Sequence, residues 1–304
     1  MAKTFDVIVP TMNNLSELIK CLDGFEKQSF REFKIFICVD GSTDGTIDYL
    51  QSARYSFEFE VLTHPGNVHK GRNETRNLSL NKITSMYVLM LDSDIVPDSE
   101  LLQKHLDLQH KSDCISVGEV IYENRKQNIW AYYLQTRGKG KYNNMEEIPC
   151  YYLNTQNVSL KSNYFVELGG QDRDLTKSYG GDDTILGYQL GKKYGIPAFF
   201  NKSAFGFSII HKTLDQALEQ MKEFGAVNLK IIKQKYPELD KIFHFNKMES
   251  KSLYYRILRL FLVKPLAELV ISTINIFPSF IKIKFVHFLV FYSIYEGYKT
   301  STEQ

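Results

Sequence analysis

The sequence contains 304 residues, of which 43% are apolar, and its 37 Lys and Arg nearly balance 35 Asp and Glu to give a net charge of +2. This length fits one α/β domain with an appendage, and the apolar content excludes a chain that is disordered throughout. A nearly neutral chain has no surplus of positive charge with which to hold a polyphosphate backbone, so we expect no nucleic-acid partner.

The cysteines and the N-terminal segment indicate the cellular compartment. No two of the four cysteines form a CxxC pair, so neither a zinc site nor a disulfide framework is indicated. They are Cys21, Cys38, Cys114 and Cys150. The first residues, MAKTFDVIVPT, lack the apolar stretch of a secretory signal. We therefore expect a cytoplasmic protein.

Strand-like and helix-like segments alternate along the first half of the chain, which predicts an α/β fold with a parallel sheet covered on both faces. Asp40 and Asp92 each follow a predicted strand end, where the ligands of such sheets bind. Residues 113–149 give no clear assignment, with a mobile loop expected around 138–144. Strands are predicted at residues 5–10, 33–39, 57–62 and 87–91, and helices after an Asn14 N-cap, from about 46, and at 73–81, 184–193 and 215–235.

The last fifty residues differ in kind from the rest. Residues 251–299 contain seven Lys or Arg and two Asp or Glu among many apolar and aromatic residues. The charges interrupt every run of the roughly 20 apolar residues that a membrane span needs. A basic amphipathic tail suits the surface of an anionic membrane, although an ordinary helical subdomain or a true span are alternatives. We therefore divide the chain into a catalytic domain (1–214), a helical connector (215–250) and a tail (251–304).

The first chemical motif is Asp92-Ser93-Asp94, directly after the apolar segment YVLML. Two carboxylates one residue apart in a loop at a strand end can hold a divalent cation, and oxygen ligands suit Mg²⁺ or Mn²⁺. Such a cation can bridge a diphosphate and neutralise the charge of a leaving nucleoside diphosphate. A single DxD motif is common by chance and often only caps the following helix.

The second motif is Tyr179-Gly180-Gly181-Asp182-Asp183, at the start of a predicted helix. Two adjacent acids at a helix N-terminus can simply stabilise the helix dipole. They can also divide the work on an acceptor, one binding its hydroxyl group and the other removing the proton. His211, in SIIHK, is a candidate nitrogen ligand to the same cation.

In chain order these segments resemble an inverting family 2 glycosyltransferase of the GT-A fold, with a nucleotide-sugar-binding, Rossmann-like mixed sheet. The resemblance covers roughly residues 5–212. Its first half is carried by DVIVPTMNN, VDGSTDGT, GRNETRN and LDSD. The stretch from NVSLKSNYFVELGG through YGGDDTILGYQLGKKYG is similar to the acceptor-side, galactosyltransferase-type C-terminal region.

The resemblance implies a donor site and a metal site. Thr11 and Asp40 would hold the uracil end of a UDP-sugar, and Arg76 would face the nucleotide or its phosphates. Asp92 would lie near the ribose and the sugar, with Pro10 and Ser93 also in the donor-binding site. The metal, Mn²⁺ or Mg²⁺, would be bound by Asp94 above all, with Asp92 and His211 as further ligands.

On the acceptor side, the resemblance implies that Asp183 is the general base that deprotonates the acceptor hydroxyl. Asp182 stands where the family has glutamate, so its contact with the acceptor would come from a shorter side chain. Tyr179 replaces the tryptophan often found there and would stack on a sugar. The reaction implied is inverting transfer of a hexosyl group from a UDP-sugar.

Several alternatives remain open at the level of sequence. A nucleotidyltransferase would need a glycine-rich basic loop where this chain has PTMNNLSE. A catalytically silent, membrane-tethered nucleotide-sugar-binding module and a transferase acting on a peptide or a thiol are the other readings. The basic apolar tail favours a polysaccharide or lipid-linked glycan acceptor at the inner face of the cell membrane.

Overall fold

The computed structural model describes residues 3–300, which form two compact units. The first unit contains residues up to 123, 135–176 and 182–209. The second contains residues 124–134, 177–181 and the chain from 210 onward. The expected division of the chain at residues 214 and 250 stays a prediction.

The first unit is built on one mixed sheet. Its strands are β1 (Phe5–Thr11), β2 (Phe33–Val39), β3 (Glu58–Thr63), β4 (Tyr87–Leu91), β5 (Val96–Pro97), β6 (Ile115–Tyr122), β7 (Glu146–Ile148), β8 (Asn157–Lys161) and β9 (Ala198–Ser208). Their order is β3-β2-β1-β4-β8-β6-β9-β5, with β7 paired to β9. The first four strands of that order are parallel, whereas β8 runs antiparallel to both of its neighbours. The four predicted strands are confirmed. The sheet is mixed, as the resemblance implied, and not purely parallel, as the alternation of strands and helices predicted.

Apolar side chains explain why these strands lie at the centre of the unit. Phe36, Val88, Val158 and Phe200 belong to one core cluster and are each at most 1% exposed. Strands that are buried on both faces read as continuous apolar runs, as YVLML does. The Asp residues that follow β2 and β4 therefore mark where the chain leaves the core.

The helices of the first unit are α1 (Leu15–Glu26), α2 (Thr46–Ser52), α3 (Arg72–Asn77), α4 (Leu101–Gln109), α6 (Ser162–Leu168) and α7 (Asp182–Tyr194), and α5 (Ile129–Thr136) is shared with the second unit. Asn14 is the N-cap residue of α1, as predicted, but it does not cap the helix with its side chain. That side chain makes no capping hydrogen bond, and the Leu15 N–H instead donates to Asp44 Oδ2 at 2.9 Å. The helix predicted at 73–81 ends as α3 at Asn77 and continues in turns.

Residues 138–144, expected as a mobile loop, begin instead with a 3₁₀ helix over Gly138–Lys141. Lys139 anchors this helix because its half-buried side chain donates from Nζ to the carbonyl oxygen of Gly118 at 2.7 Å. Burial lowers the pKa of Lys139 to about 8, against the negative charges of Asp183 and Glu119, which raise it. The segment is therefore part of the folded first unit.

The second unit is helical, with α8 (Leu214–Ala226), α9 (Asn228–Lys235), α10 (Asp240–Phe243), α11 (Phe245–Glu249), α12 (Leu253–Leu260), α13 (Lys264–Thr273) and α14 (Ser279–Thr300). The single helix predicted at 215–235 is two helices, because Val227 leaves helical geometry with φ −116° and ψ −78°.

Two glycines let α8 and α14 touch. A Cβ on Gly297 would lie 1.9 Å from the Lys222 carbonyl oxygen, and one on Gly225 would lie 2.1 Å from that of Ile294. Over residues 3–300, none of the helices is both long and apolar enough to span a bilayer.

Candidate active site

A cavity of about 290 Å³ opens where β1, β2 and β4 end, beside α3. The strands are parallel, so the loops that follow them meet at the same edge of the sheet. All of the residues assigned to the donor site from the sequence lie on its wall, together with Asp94. The lining consists of Pro10, Thr11, Met12, Asn13, Asn14, Asp40, Arg72, Thr75, Arg76, Asp92, Ser93 and Asp94.

Arg76 is the positive centre of this cavity. Its side chain is 1% exposed, and its Nη2 donates to Asp92 Oδ1 at 2.5 Å while Nη1 donates to Gln171 Oε1 at 3.2 Å. Within residues 3–300 no hydrogen-bond acceptor reaches its buried Nε. A buried guanidinium N–H without a partner is costly, so this N–H is available to donate to an anionic ligand oxygen in the cavity.

Asp40 fastens the loop before α3 to the end of β2. Its two oxygens accept hydrogen bonds from the backbone N–H groups of Lys70, at 2.7 Å, and Gly71, at 3.0 Å. The ring of His69 adds a contact from Nδ1 at 2.9 Å. The backbone at His69 can come this close to the end of β2 only because residue 41 is glycine. Its φ is +70°, and a Cβ there would lie 2.7 Å from the His69 backbone nitrogen. Asp40 is therefore a loop anchor as well as a wall of the cavity.

The two acids that begin α7 occupy different environments. Asp182 is 5% exposed, and its Oδ2 lies 4.0 Å from Nε of Arg72. Asp183 is half-buried and its Oδ1 accepts a 2.6 Å hydrogen bond from the Thr155 hydroxyl. Burial, and next the negative charge of Asp182, raise the pKa of Asp183 to about 6, although the charges of Arg76 and Arg72 and the Thr155 bond lower it. A carboxylate with this pKa can take up a proton near neutral pH.

The cavity offers oxygen ligands for a divalent cation. Asp92 and Asp94 both face it, and Mg²⁺ is commonly held by one or two carboxylates together with substrate phosphates. In the described part of the chain, no group of three or more His, Cys, Asp and Glu side chains is arranged for a metal. His211 is exposed and belongs to the second unit, after β9, so its role as a ligand stays a prediction. The carboxylates present fit a cation that shares its coordination with a diphosphate.

Several residues of the site were not found from the sequence. Arg72 precedes Arg76 by one helical turn, so the spacing in GRNETRN could have placed both on one face. Asn13 ties two loops together, since its Oδ1 accepts the Thr43 N–H at 2.7 Å. Thr155 and Gln171 were missed because they reach the site only through the tertiary fold.

The chain is similar to known proteins over this region. Residues 6–166 match the model of Glycosyl transferase family 2, and this match covers more than half of the sequence. The chain belongs to this family, as the sequence motifs predicted.

Two curated relatives illustrate the similarity. Poly(ribitol-phosphate) beta-N-acetylglucosaminyltransferase TarS of Staphylococcus aureus is 30% identical over 117 residues, which are 37% of this chain and 20% of TarS. Glycosyltransferase GlyG of Streptococcus pneumoniae is 23% identical over 140 residues, 46% of each chain. The aligned part thus spans a fifth of TarS and just under half of GlyG.

Solved structures share the fold over nearly the whole chain. The mannosyltransferase PcManGT of Pyrobaculum calidifontis, in complex with GDP-Man and Mn²⁺, has a TM-score of 0.63 and 15% identity, covering 97% of this chain and 87% of its own. Residues 1–349 of Staphylococcus aureus TarS with UDP-GlcNAc have a TM-score of 0.56 and 15% identity, covering 99% and 90%. The expected GT-A architecture is confirmed by these matches.

Proposed function

We propose that the protein transfers a hexosyl group from a UDP-sugar to an acceptor hydroxyl, with inversion and with the help of Mn²⁺ or Mg²⁺. The observation that carries this proposal is Asp183, whose pKa is raised to about 6 by burial and by Asp182. A group that must accept a proton at neutral pH works best when its pKa lies near that pH.

In the proposed reaction, Asp183 removes the proton of the acceptor hydroxyl as its oxygen attacks the anomeric carbon. The bond from that carbon to the phosphate oxygen breaks on the opposite face, and UDP leaves with the bonding electrons. Arg76 faces the nucleotide from the cavity wall and stabilises the negative charge of the leaving group. Asp94, with Asp92, would hold the cation, which when bound supplies further positive charge at the diphosphate.

We propose a polysaccharide or a lipid-linked glycan as the acceptor, at the inner face of the cell membrane. Support comes from the relative TarS, whose name gives poly(ribitol-phosphate) as its acceptor, and from the basic apolar tail. The donor is proposed as a UDP-sugar because the resemblance implies that Thr11 and Asp40 hold uracil. Thr11 Oγ1 is buried and, among residues 3–300, has no hydrogen-bond partner, which leaves it available to a nucleotide.

The experiment is nucleotide release from a panel of UDP-sugars, with GDP-mannose for comparison, in the presence of Mn²⁺ and candidate acceptors. We expect one UDP-sugar to be consumed, a chelator to abolish the reaction, and NMR of the product to show the inverted anomer. Asp183→Asn should lower kcat by at least about 100-fold with donor binding unchanged, and Asp94→Asn should weaken the response to Mn²⁺. Asp23→Asn, an exposed position on α1, is the matched control.

Each part of the proposal can fail separately. An Asp183→Asn protein that keeps its rate would show that another group is the base. A retained anomeric configuration would overturn the single-displacement reaction. Donor binding without turnover, with every acceptor class tried, would support the silent binding module instead.

A further inference from the structure

Helix α12 presents an apolar face to solvent. Leu253, Tyr254, Ile257 and Leu260 have the spacing i, i+1, i+4 and i+7, which places side chains on one face of a helix, and Phe261 follows directly. Their side chains are 70%, 65%, 47%, 71% and 58% exposed. We call these five residues the apolar stripe. A soluble helix normally buries such a face, so the stripe calls for an apolar partner.

The other side of α12 is held by hydrogen bonds. Arg259 Nη1 donates to the carbonyl oxygens of Lys247, at 3.0 Å, and Met248, at 3.1 Å. Its Nη2 donates to the carbonyl oxygen of Ser250 at 2.5 Å. These bonds join α12 to the segment around the end of α11, and they fix which face of α12 is turned away from it. The outward position of the stripe is thus set by specific contacts.

Exposed apolar side chains are concentrated in this part of the chain. Among the described residues sixteen large hydrophobic side chains are exposed, and ten of them lie between Leu253 and Phe280. The charges around them are mostly positive, with six Lys or Arg and a single Glu over residues 251–284. Lys251, Arg256 and Lys264 are exposed beside the stripe.

We infer that the apolar stripe and these three basic residues dock the protein on an anionic lipid bilayer. The stripe would enter the boundary between headgroups and acyl chains, and the basic side chains would bind lipid phosphates. The charge pattern selects a bilayer over a second copy of the chain, because two copies joined by this face would bring the same positive charges together. This inference rests on none of the catalytic residues and holds whether or not the proposed transfer reaction is correct.

The test uses the full-length protein and co-sedimentation with two kinds of vesicle, phosphatidylcholine alone and phosphatidylcholine with phosphatidylglycerol. We expect binding to the anionic vesicles that falls as salt is added. Leu253→Asn/Leu260→Asn should weaken it by at least about tenfold, and Arg256→Gln by about fivefold. Met86→Asn/Val166→Asn, which changes two exposed apolar residues of the first unit (64% and 40% exposed), should bind like the wild type.

Three results would overturn the inference. One is that the wild type does not bind anionic vesicles. Another is that the Leu253→Asn/Leu260→Asn protein binds as well as the control while keeping its melting temperature. The last is that the wild type is a dimer of 35.3 kDa chains by light scattering without lipid and the same double substitution makes it a monomer, which would assign the stripe to self-association.

Discussion

Arg76 and Asp92 form one ion pair, with Nη2 of the arginine 2.5 Å from Oδ1 of the aspartate. The sequence assigned the two residues to different parts of the donor, the phosphates and the ribose. In the structure they are one unit, since the almost fully buried arginine fixes the carboxylate that begins the Asp92-Ser93-Asp94 motif. The position of this motif therefore depends on α3.

Arg76→Lys is expected to lower both stability and activity. Lysine cannot bind Asp92 and Gln171 at once as the planar guanidinium does, and losing a buried hydrogen bond to a charged group costs about 1.5–3 kcal/mol. Urea unfolding measures the first effect and nucleotide release the second. Arg54→Lys, at an arginine whose Nη1 donates to the backbone carbonyls of Gln51 and Ala53, should change neither. An unchanged Arg76→Lys protein would remove Arg76 from the site.

Activity should fall as the pH drops below about 6, because Asp183 must be ionised to act as a base and its pKa is raised to that value. Thr155→Val removes the hydrogen bond that lowers this pKa, so the acidic limb of the kcat profile should move up by as much as about one pH unit. Thr155→Ser keeps a hydroxyl and should restore the original limb. If the pH dependence of kcat were the same in all three proteins, Thr155 would not influence the pKa of the catalytic base.

Asp183→Asn should make the protein more stable while making it inactive. The native pKa of about 6 lies above the ordinary value of 3.8, so the native state is penalised once the carboxylate ionises. Stability is lost as the pH rises from about 4 to 6, and the loss is then constant. At pH 7.5 the asparagine variant should gain about 3 kcal/mol in unfolding free energy, a gain that vanishes near pH 4. Equal unfolding midpoints of variant and wild type at pH 7.5 would contradict this.

His105 should make the protein less stable at acidic pH, whereas Asp183 makes it less stable as the pH rises. Its ring is fully buried between Ser116 Oγ, at 2.8 Å from Nδ1, and Asn157 Oδ1, at 2.9 Å from Nε2. Burial lowers its pKa from 6.5 to about 4, so the unfolded chain takes up a proton at a higher pH than the native protein does. The free energy of unfolding therefore falls as the pH is lowered from 6.5 to about 4.

The contribution of His105 is expected to be about 3 kcal/mol by pH 4. His105→Gln should lose this pH-dependent part, measured as the change in unfolding free energy from pH 7 to pH 4.5 relative to the wild type. His110→Gln, at an exposed position, should behave as the wild type does. If His105→Gln kept the full acid sensitivity, the histidine would not be its source.

Gly297→Val should destabilise the helical unit by about 1–3 kcal/mol, since a Cβ there meets the backbone oxygen of Lys222 at 1.9 Å and overpacking of this kind forces backbone shifts. Thermal unfolding followed by circular dichroism measures the loss. Glu219→Val places the same side chain on the exposed side of α8 and should have a small effect. Similar melting temperatures for both variants would show that α8 and α14 can move apart without cost.

The sequence predicted those parts of the fold that local pattern determines. Within β1, β2 and β4 the apolar runs VIV, IFICV and YVLML are buried on both faces, and β2 and β4 are each followed by an aspartate of the cavity, Asp40 and Asp92. The strand β6 was not found, although it lies inside the sheet. Its sequence, ISVGEVIY, includes Gly118 and Glu119, which weaken the apolar pattern at the point where its pairing with β9 shifts register.

Partners that are distant in sequence were beyond local pattern. Gln171 contacts Arg76 across 95 residues, and Asp44 accepts the N–H of Leu15 at the start of α1 across 29 residues. Asp183 was named from the resemblance, but the reason for its raised pKa depends on burial, which only the folded chain supplies. Residues that act locally could thus be identified in advance, and the environments that tune them could not.

The anchoring of the loop before α3 by Asp40 has a consequence for how a nucleotide would arrive. The side chain that the resemblance assigns to uracil already accepts the N–H groups of Lys70 and Gly71. A donor that draws on the same oxygens shares them with the loop, so donor affinity and loop opening are thermodynamically linked, each altering the other by the same factor. The hydrogen-exchange rates of those two amides would then report whether the donor site is occupied, independently of any chemistry that follows.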